Sequence, residues 1–224
     1  MSERRSWWVM VVVAAALSGC VPVPVLSPPM KVGMGAALAT GDFSDDPAVD
    51  DSGGQLAVGV TAGVHPLQFF EGLDEFDAGA GVIFEAVPDQ RLGANPLLGG
   101  YAEAGLRLWQ RGKIEEGAGR LFVLGRGELL NELGGDSQGV GLSLGLGLDL
   151  VSWEDNEVAA IGVQASSQGA VVSSFLGYAY GQSGIGAELS LNFRQIGEVQ
   201  YNAVFLKLTF RVPVTAGFYL VPVL

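Results

Sequence analysis

Residues 141–150 read Gly-Leu-Ser-Leu-Gly-Leu-Gly-Leu-Asp-Leu, which puts Leu142, Leu144, Leu146, Leu148 and Leu150 on one side of an extended chain and Gly141, Ser143, Gly145, Gly147 and Asp149 on the other. Only a β-strand has a side-chain period of two; a helix would scatter these leucines around its circumference. The same division recurs. Ala102, Ala104, Leu106 and Leu108 oppose Tyr101, Glu103, Gly105, Arg107 and Trp109. Ala187, Leu189, Leu191 and Phe193 oppose Glu188, Ser190, Asn192 and Arg194, and Leu206, Leu208, Phe210 and Val212 oppose Phe205, Lys207, Thr209 and Arg211. Gly, Pro, Asp, Asn and Ser cluster between such runs, and no helical segment stands out between Met30 and Val212. The pattern predicts an all-β chain with strands near 31–40, 54–64, 76–86, 98–109, 118–130, 138–152, 157–164, 169–180, 185–194 and 202–212. An antiparallel up-and-down β-barrel of about ten strands follows, with eight as the alternative.

Which face of those strands meets water decides the class of barrel. In a soluble barrel the apolar face turns inward and the other face carries Lys, Glu and Thr. Here the other face is largely Gly, Ser and Ala: 34 of the 224 residues are Gly, roughly twice the usual share. Small residues suit the narrow lumen of a small barrel, whereas on an exposed strand Gly adds no packing and costs entropy. Only 16% of residues are charged and the mean hydropathy is +0.36, so something other than water covers part of the surface. A transmembrane barrel is therefore expected, with strands near the ~9–11 residues such a span needs. The net charge of −12 excludes a nucleic-acid role, which requires a basic face.

The N-terminus supplies an address. Arg4 and Arg5 precede an apolar run from Trp7 to Leu17, too short for the ~20 helical residues of a membrane span, and this reads as a cleaved export signal. Leu17-Ser18-Gly19-Cys20 resembles the lipobox of bacterial lipoproteins. That resemblance implies acylation of Cys20 through its sulfur and a mature chain that begins there. Val21, rather than Asp, resembles lipoproteins sorted to the outer membrane. Cys20 is also the only Cys, so the mature chain has no disulfide and no cysteine metal site. The organisation expected is a signal peptide over 1–19, an acylated Pro-rich tether over 20–29, a barrel over 30–212 and a tail over 213–224. Through its pattern rather than any motif, the body resembles small outer-membrane β-barrels of the OmpA/OmpX type. One departure stands out: Phe210 is followed by 14 more residues ending at Leu224, where such barrels close on an aromatic residue.

With the tether on the periplasmic side, Trp109, Trp153, Tyr178 and Tyr180 fall at one set of strand ends and Tyr101, Phe193 and Tyr201 at the other, as two interfacial girdles would. On the inward face stand Arg107, Arg126, Arg194, Lys207 and Arg211 against Asp77, Glu85, Glu103, Glu128, Asp149 and Glu188. Ionised groups in a closed lumen must be paired, so a salt-bridge network that plugs the barrel is expected. Asp42, Asp45, Asp46, Asp50 and Asp51 crowd the first outward loop, without calcium-loop spacing. Gly141–Gly145 matches G-x-S-x-G in mid-strand, where no nucleophile elbow forms, and the only His, His65, falls at the periplasmic end. No cofactor, metal or enzymatic activity is expected. The leading expectation is a lipid-anchored outer-membrane barrel with a structural or surface-binding role. Its partners would be outer-membrane lipid and an envelope or extracellular protein. A narrow gated channel and a soluble periplasmic lipoprotein barrel holding an apolar ligand are the alternatives.

Overall fold

A computed structural model describes residues 20–41, 55–70, 72–73, 75–86, 96–166, 169–197 and 199–222. The segment read as a signal peptide, 1–19, and the acidic run holding Asp42, Asp45, Asp46, Asp50 and Asp51 lie outside the described residues. Ten antiparallel strands form: β1 Cys20–Ser27, β2 Met30–Gly41, β3 Gln55–Val64, β4 Phe76–Ala86, β5 Leu97–Arg111, β6 Ala118–Glu132, β7 Gln138–Ser166, β8 Gly169–Ile196, β9 Val199–Val212 and β10 Val214–Pro222. They belong to two compact units.

The larger unit holds residues 29–153 and 181–213. Each strand in it pairs with its sequence neighbour, and β2 pairs with β9 from Met30↔Val212 to Gly41↔Tyr201, which closes a ring of eight strands. Closure leaves no edge in this unit. The alternation read from the sequence sorts the side chains. Leu38, Val58, Val82, Leu106, Leu129, Leu144, Leu189 and Leu206, one on each strand, are exposed on the outside, while the opposite parity is buried in the lumen. Near the ends of β2, β4, β6 and β8, the lumen is filled by Ala39, Ala57, Ile83, Leu97, Leu130, Ile196 and Ala203. At the other end His65 leads into a single 3-10 turn, Pro66–Phe69, and its backbone N–H donates to Pro29 O at 2.9 Å. The His65 ring lies over Gly79, where a Cβ would come within 2.6 Å of it, so this close approach requires glycine.

The smaller unit is a sheet of four strands in the order β1, β10, β8, β7, built from β1, β10 and residues 154–180. The stretch expected as an extended tether is strand β1, paired with β10 from Cys20↔Pro222 to Ser27↔Thr215. Its Pro22 and Pro24 sit on an edge strand, the place in a sheet where a missing N–H is tolerated. Likewise the tail beyond residue 212 forms β10, between β1 and β8.

Two details differ from the sequence reading. The break expected between strands at 152 and 157 does not exist, since Ser152-Trp153-Glu154-Asp155-Asn156 continues β7 without a turn residue to interrupt it. Strands 169–180 and 185–194 are similarly one strand, β8, whose residues 174–180 pair with β10 and 184–196 with β9. Among the described residues ten strands are present, and eight of them enclose the lumen. A second difference is a β-bulge in β5 between Arg107 and Trp109, which inserts one residue and reverses the parity that follows. Trp109, expected inward, is 49% exposed.

Candidate functional site

Strand parity brings twelve charged side chains into the lumen of the larger unit. Among the described residues the buried cations are Lys31, Arg120, Arg126, Arg194, Lys207 and Arg211, and the buried anions are Asp77, Glu85, Glu103, Glu128, Asp149 and Glu188. Six face six. Such balance is what a medium of low dielectric demands, because an unmatched buried charge is strongly destabilising.

The pairs fall into three tiers. Nearest the apolar cap, Arg194 donates from Nη1 to Glu85 Oε2 at 2.6 Å and from Nε to Glu128 Oε2 at 2.7 Å. In the middle, Arg126 donates to Glu103 and, at 3.1 Å, to Glu188. Lys31 Nζ lies 2.7 Å from Glu103, and Lys207 Nζ 3.3 Å from Glu188. Lowest, Arg211 Nη2 bridges Asp149 at 2.6 Å and Asp77 at 2.8 Å, and Asp77 Oδ1 lies 2.9 Å from His65 Nδ1. Aromatic faces sit against these cations: Tyr101 is 4.9 Å from Arg126, Phe122 is 5.0 Å from Arg120, and Phe205 is 5.2 Å from Lys207. Rings at these distances stabilise a cation through the quadrupole while filling space that water would otherwise take. Gaps lined by Lys31, Asp149, Glu188 and Arg211, and by Gln68, Asp77, Arg120 and Gln182, have no room for a water molecule.

Of the eleven lumen residues expected from sequence, ten are buried together here, and Arg107 is not among them. Arg107 keeps inward parity opposite Phe122, but it stands near the end of β5, where its half-buried side chain reaches the rim: Nη1 donates to Gln110 Oε1 at 2.6 Å and Nη2 to the exposed Glu75 at 3.4 Å. An ion pair open to solvent contributes little, so Arg107→Leu is expected to change stability by no more than about 0.5 kcal/mol in denaturant unfolding. The sequence reading missed Lys31 and Arg120, and it placed His65 at the periplasmic end with no part in the lumen. Parity was the available signal, since Lys31 shares a face with Gly33 and Gly35, and Arg120 with Arg126 and Glu128.

Several other expectations find their place. Tyr101 is in the lumen beside Arg126 and belongs to no girdle, because β5 turns its parity inward there. Trp109, Phe76, Phe84 and Phe193 are exposed towards the two ends of the ring, whereas Tyr178 and Tyr180 belong to the smaller unit. The side chain of Tyr201 lies outside the described ones. Ser143 of the G-x-S-x-G match is buried in mid-strand and donates to Asn192 Oδ1 at 2.7 Å. His65, Asp77 and Glu103 bring potential metal ligands within 4.8 Å of one another. Lys31 and Arg126 already neutralise Glu103, and Arg211 neutralises Asp77, so a dication entering there would unbalance the set.

No protein-family model matches the chain, and no curated protein matches it in sequence. One solved structure to which the chain is similar is the crystal structure of Ail, the attachment invasion locus protein of Yersinia pestis, at 12% identity and a TM-score of 0.27. The match covers 83% of this chain and 99% of that one.

Proposed function

We propose that the chain is a β-barrel of the bacterial outer membrane, held also by an acyl group on Cys20, with a closed lumen and a structural or surface-binding role rather than a catalytic one. The observation that carries this reading is the inversion of the larger unit: twelve charges inside, and Leu, Val, Met and Phe exposed on all eight strands outside. Soluble proteins rarely expose apolar patches beyond a few hundred Å². A belt around a closed ring is what hydrocarbon selects, and the pairing of β2 with β9 leaves the ring without an open strand edge, as lipid requires. The tiers of ion pairs, the apolar cap and the 3-10 turn support a lumen closed to solutes.

Refolding the mature chain into phospholipid vesicles tests the reading. The outcome expected is a protease-resistant barrel that leaves planar bilayers at background conductance. Discrete conductance steps would replace the closed lumen with a channel. Single cysteines at Leu142, Leu144 and Leu146 should resist aqueous thiol reagents in vesicles, and ready labelling of all three without lipid protection would favour the soluble barrel. The anchor is tested separately. Cys20→Ala should remove metabolic labelling by a fatty-acid analogue and leave a longer precursor, because the thioether needs that sulfur; persistent labelling would sink the assignment.

A further inference from the structure

At the end of the ring where β2 begins, a cleft of about 540 Å³ opens between the connection joining β5 to β6 and the 3-10 turn after β3. Phe70, Gln110, Lys113, Glu115, Glu116 and Trp153 are among its walls. We propose that this cleft binds the zwitterionic headgroup of a phospholipid, with the phosphate on Lys113 and the ammonium on Glu115 and Glu116 against the Trp153 ring. The proposal rests on the membrane reading above and adds a lipid class to it.

Four observations lead there. The cleft is within the size range of ligand sites. Position matters next, because the outward face of β5 is apolar through the exposed Leu108 and turns to Trp109 and then Gln110. The cleft therefore begins where the apolar belt stops, at headgroup depth in a membrane-spanning barrel. Third, the wall is built rather than loose. Ile114 is buried against Ala118 and Val151 with Trp153 packed on that cluster. Glu116 N–H donates to Lys113 O at 3.1 Å, and Gly112 and Gly117, with φ of 90° and 94°, bracket the turn in a conformation other residues resist. Gln110 Nε2 donates to Gly112 O at 3.1 Å, which ties the turn back to β5.

The fourth observation is chemical. Lys113, Glu115 and Glu116 are exposed on the cleft and form no ion pair among the described residues, so one positive and two negative groups face the same space. A phosphate is complementary to the ammonium of Lys113, and an ammonium to two carboxylates beside an aromatic face. An anionic headgroup lacking an amine would meet the two carboxylates as like charges.

The test uses the mature full-length chain inserted in vesicles of equal phosphatidylethanolamine and phosphatidylglycerol, then released and weighed by native mass spectrometry. Retention of phosphatidylethanolamine over phosphatidylglycerol by about fivefold is expected. The double variant Glu115→Gln/Glu116→Gln, and separately Trp153→Leu, should bring the ratio to about one, while Glu132→Gln at the opposite end of the ring should leave it unchanged. Equal retention by the unaltered protein, or an unchanged ratio in the double variant, overturns the proposal. If soluble phosphorylethanolamine strips the retained lipid, the site takes a free zwitterion and the lipid assignment is wrong. A chain that inserts normally but shows no preference removes only this proposal. A chain that never inserts removes the membrane reading and the proposal with it.

Discussion

Arg126→Leu is expected to destabilise the barrel by about 3–5 kcal/mol, read as urea unfolding from lipid vesicles, because it leaves Glu103 and Glu188 with less positive charge than they need in a site that excludes water. Lys31 and Lys207 remain near those carboxylates, which places the effect below complete loss of folding. Two further variants identify the cause. Arg126→Lys keeps the charge but not the fork that reaches two acids, and should lose part of that amount. Arg126→Leu combined with Glu103→Gln should cost less than the two single changes added together, since the second substitution removes the charge the first one stranded. Raising the salt concentration should scarcely alter any of these values, because mobile ions do not reach a buried pair. An Arg126→Leu barrel as stable as the parent would mean that water solvates the lumen.

The second large effect lies on the opposite face. Leu144→Arg, near the middle of the outward run of β7, is expected to cost about 2–4 kcal/mol in the same measurement, and Leu150→Arg, nearer the ring's end, about 0–1 kcal/mol. Both leucines are similarly exposed, at 53% and 62%, so a soluble barrel would treat them alike and tolerate either change. Depth dependence separates lipid from water here, and equal tolerance at both positions would remove the membrane from the account.

The sequence made strand parity legible because glycine and leucine alternate so strictly at 141–150 that only one period fits them. From parity alone, ten of the twelve lumen charges could be placed. Lys31 and Arg120 obey the same rule at the second residue of β2 and the third of β6, where few neighbours of the same strand precede them to show the alternation. Arg107 is a different case. Its parity is inward, but it lies so near the end of β5 that its side chain pairs with Gln110 and Glu75 at the rim, and the bulge that follows at Leu108 has no Gly or Pro to mark it. The apolar cap was equally hidden. Ile83, Leu97, Leu130 and Ile196 are apolar residues of inward parity, and only the ring's closure shows that they meet. The unbroken run of β7 past residue 153 has the same origin, since polar Glu154, Asp155 and Asn156 read as a turn when nothing shows what they pair with.

The distribution of the lumen charges among strands bears on assembly. Strand β4 contributes only anions, Asp77 and Glu85, and β9 only cations, Lys207 and Arg211. Their partners stand elsewhere on the ring: Arg194 of β8 reaches Glu85 of β4, and Arg211 of β9 reaches Asp77 of β4. On the membrane reading, a hairpin of β3 and β4 entering hydrocarbon ahead of the rest would carry Asp77 and Glu85 with no Lys or Arg opposite them, whereas β5–β6 and β8–β9 bring the pairs Glu103–Arg126 and Glu188–Lys207 with them. Threading that starts with β3 and β4 is therefore the disfavoured route on that reading, and β4 leaves the interface only once the strands carrying Arg194 and Arg211 have joined it.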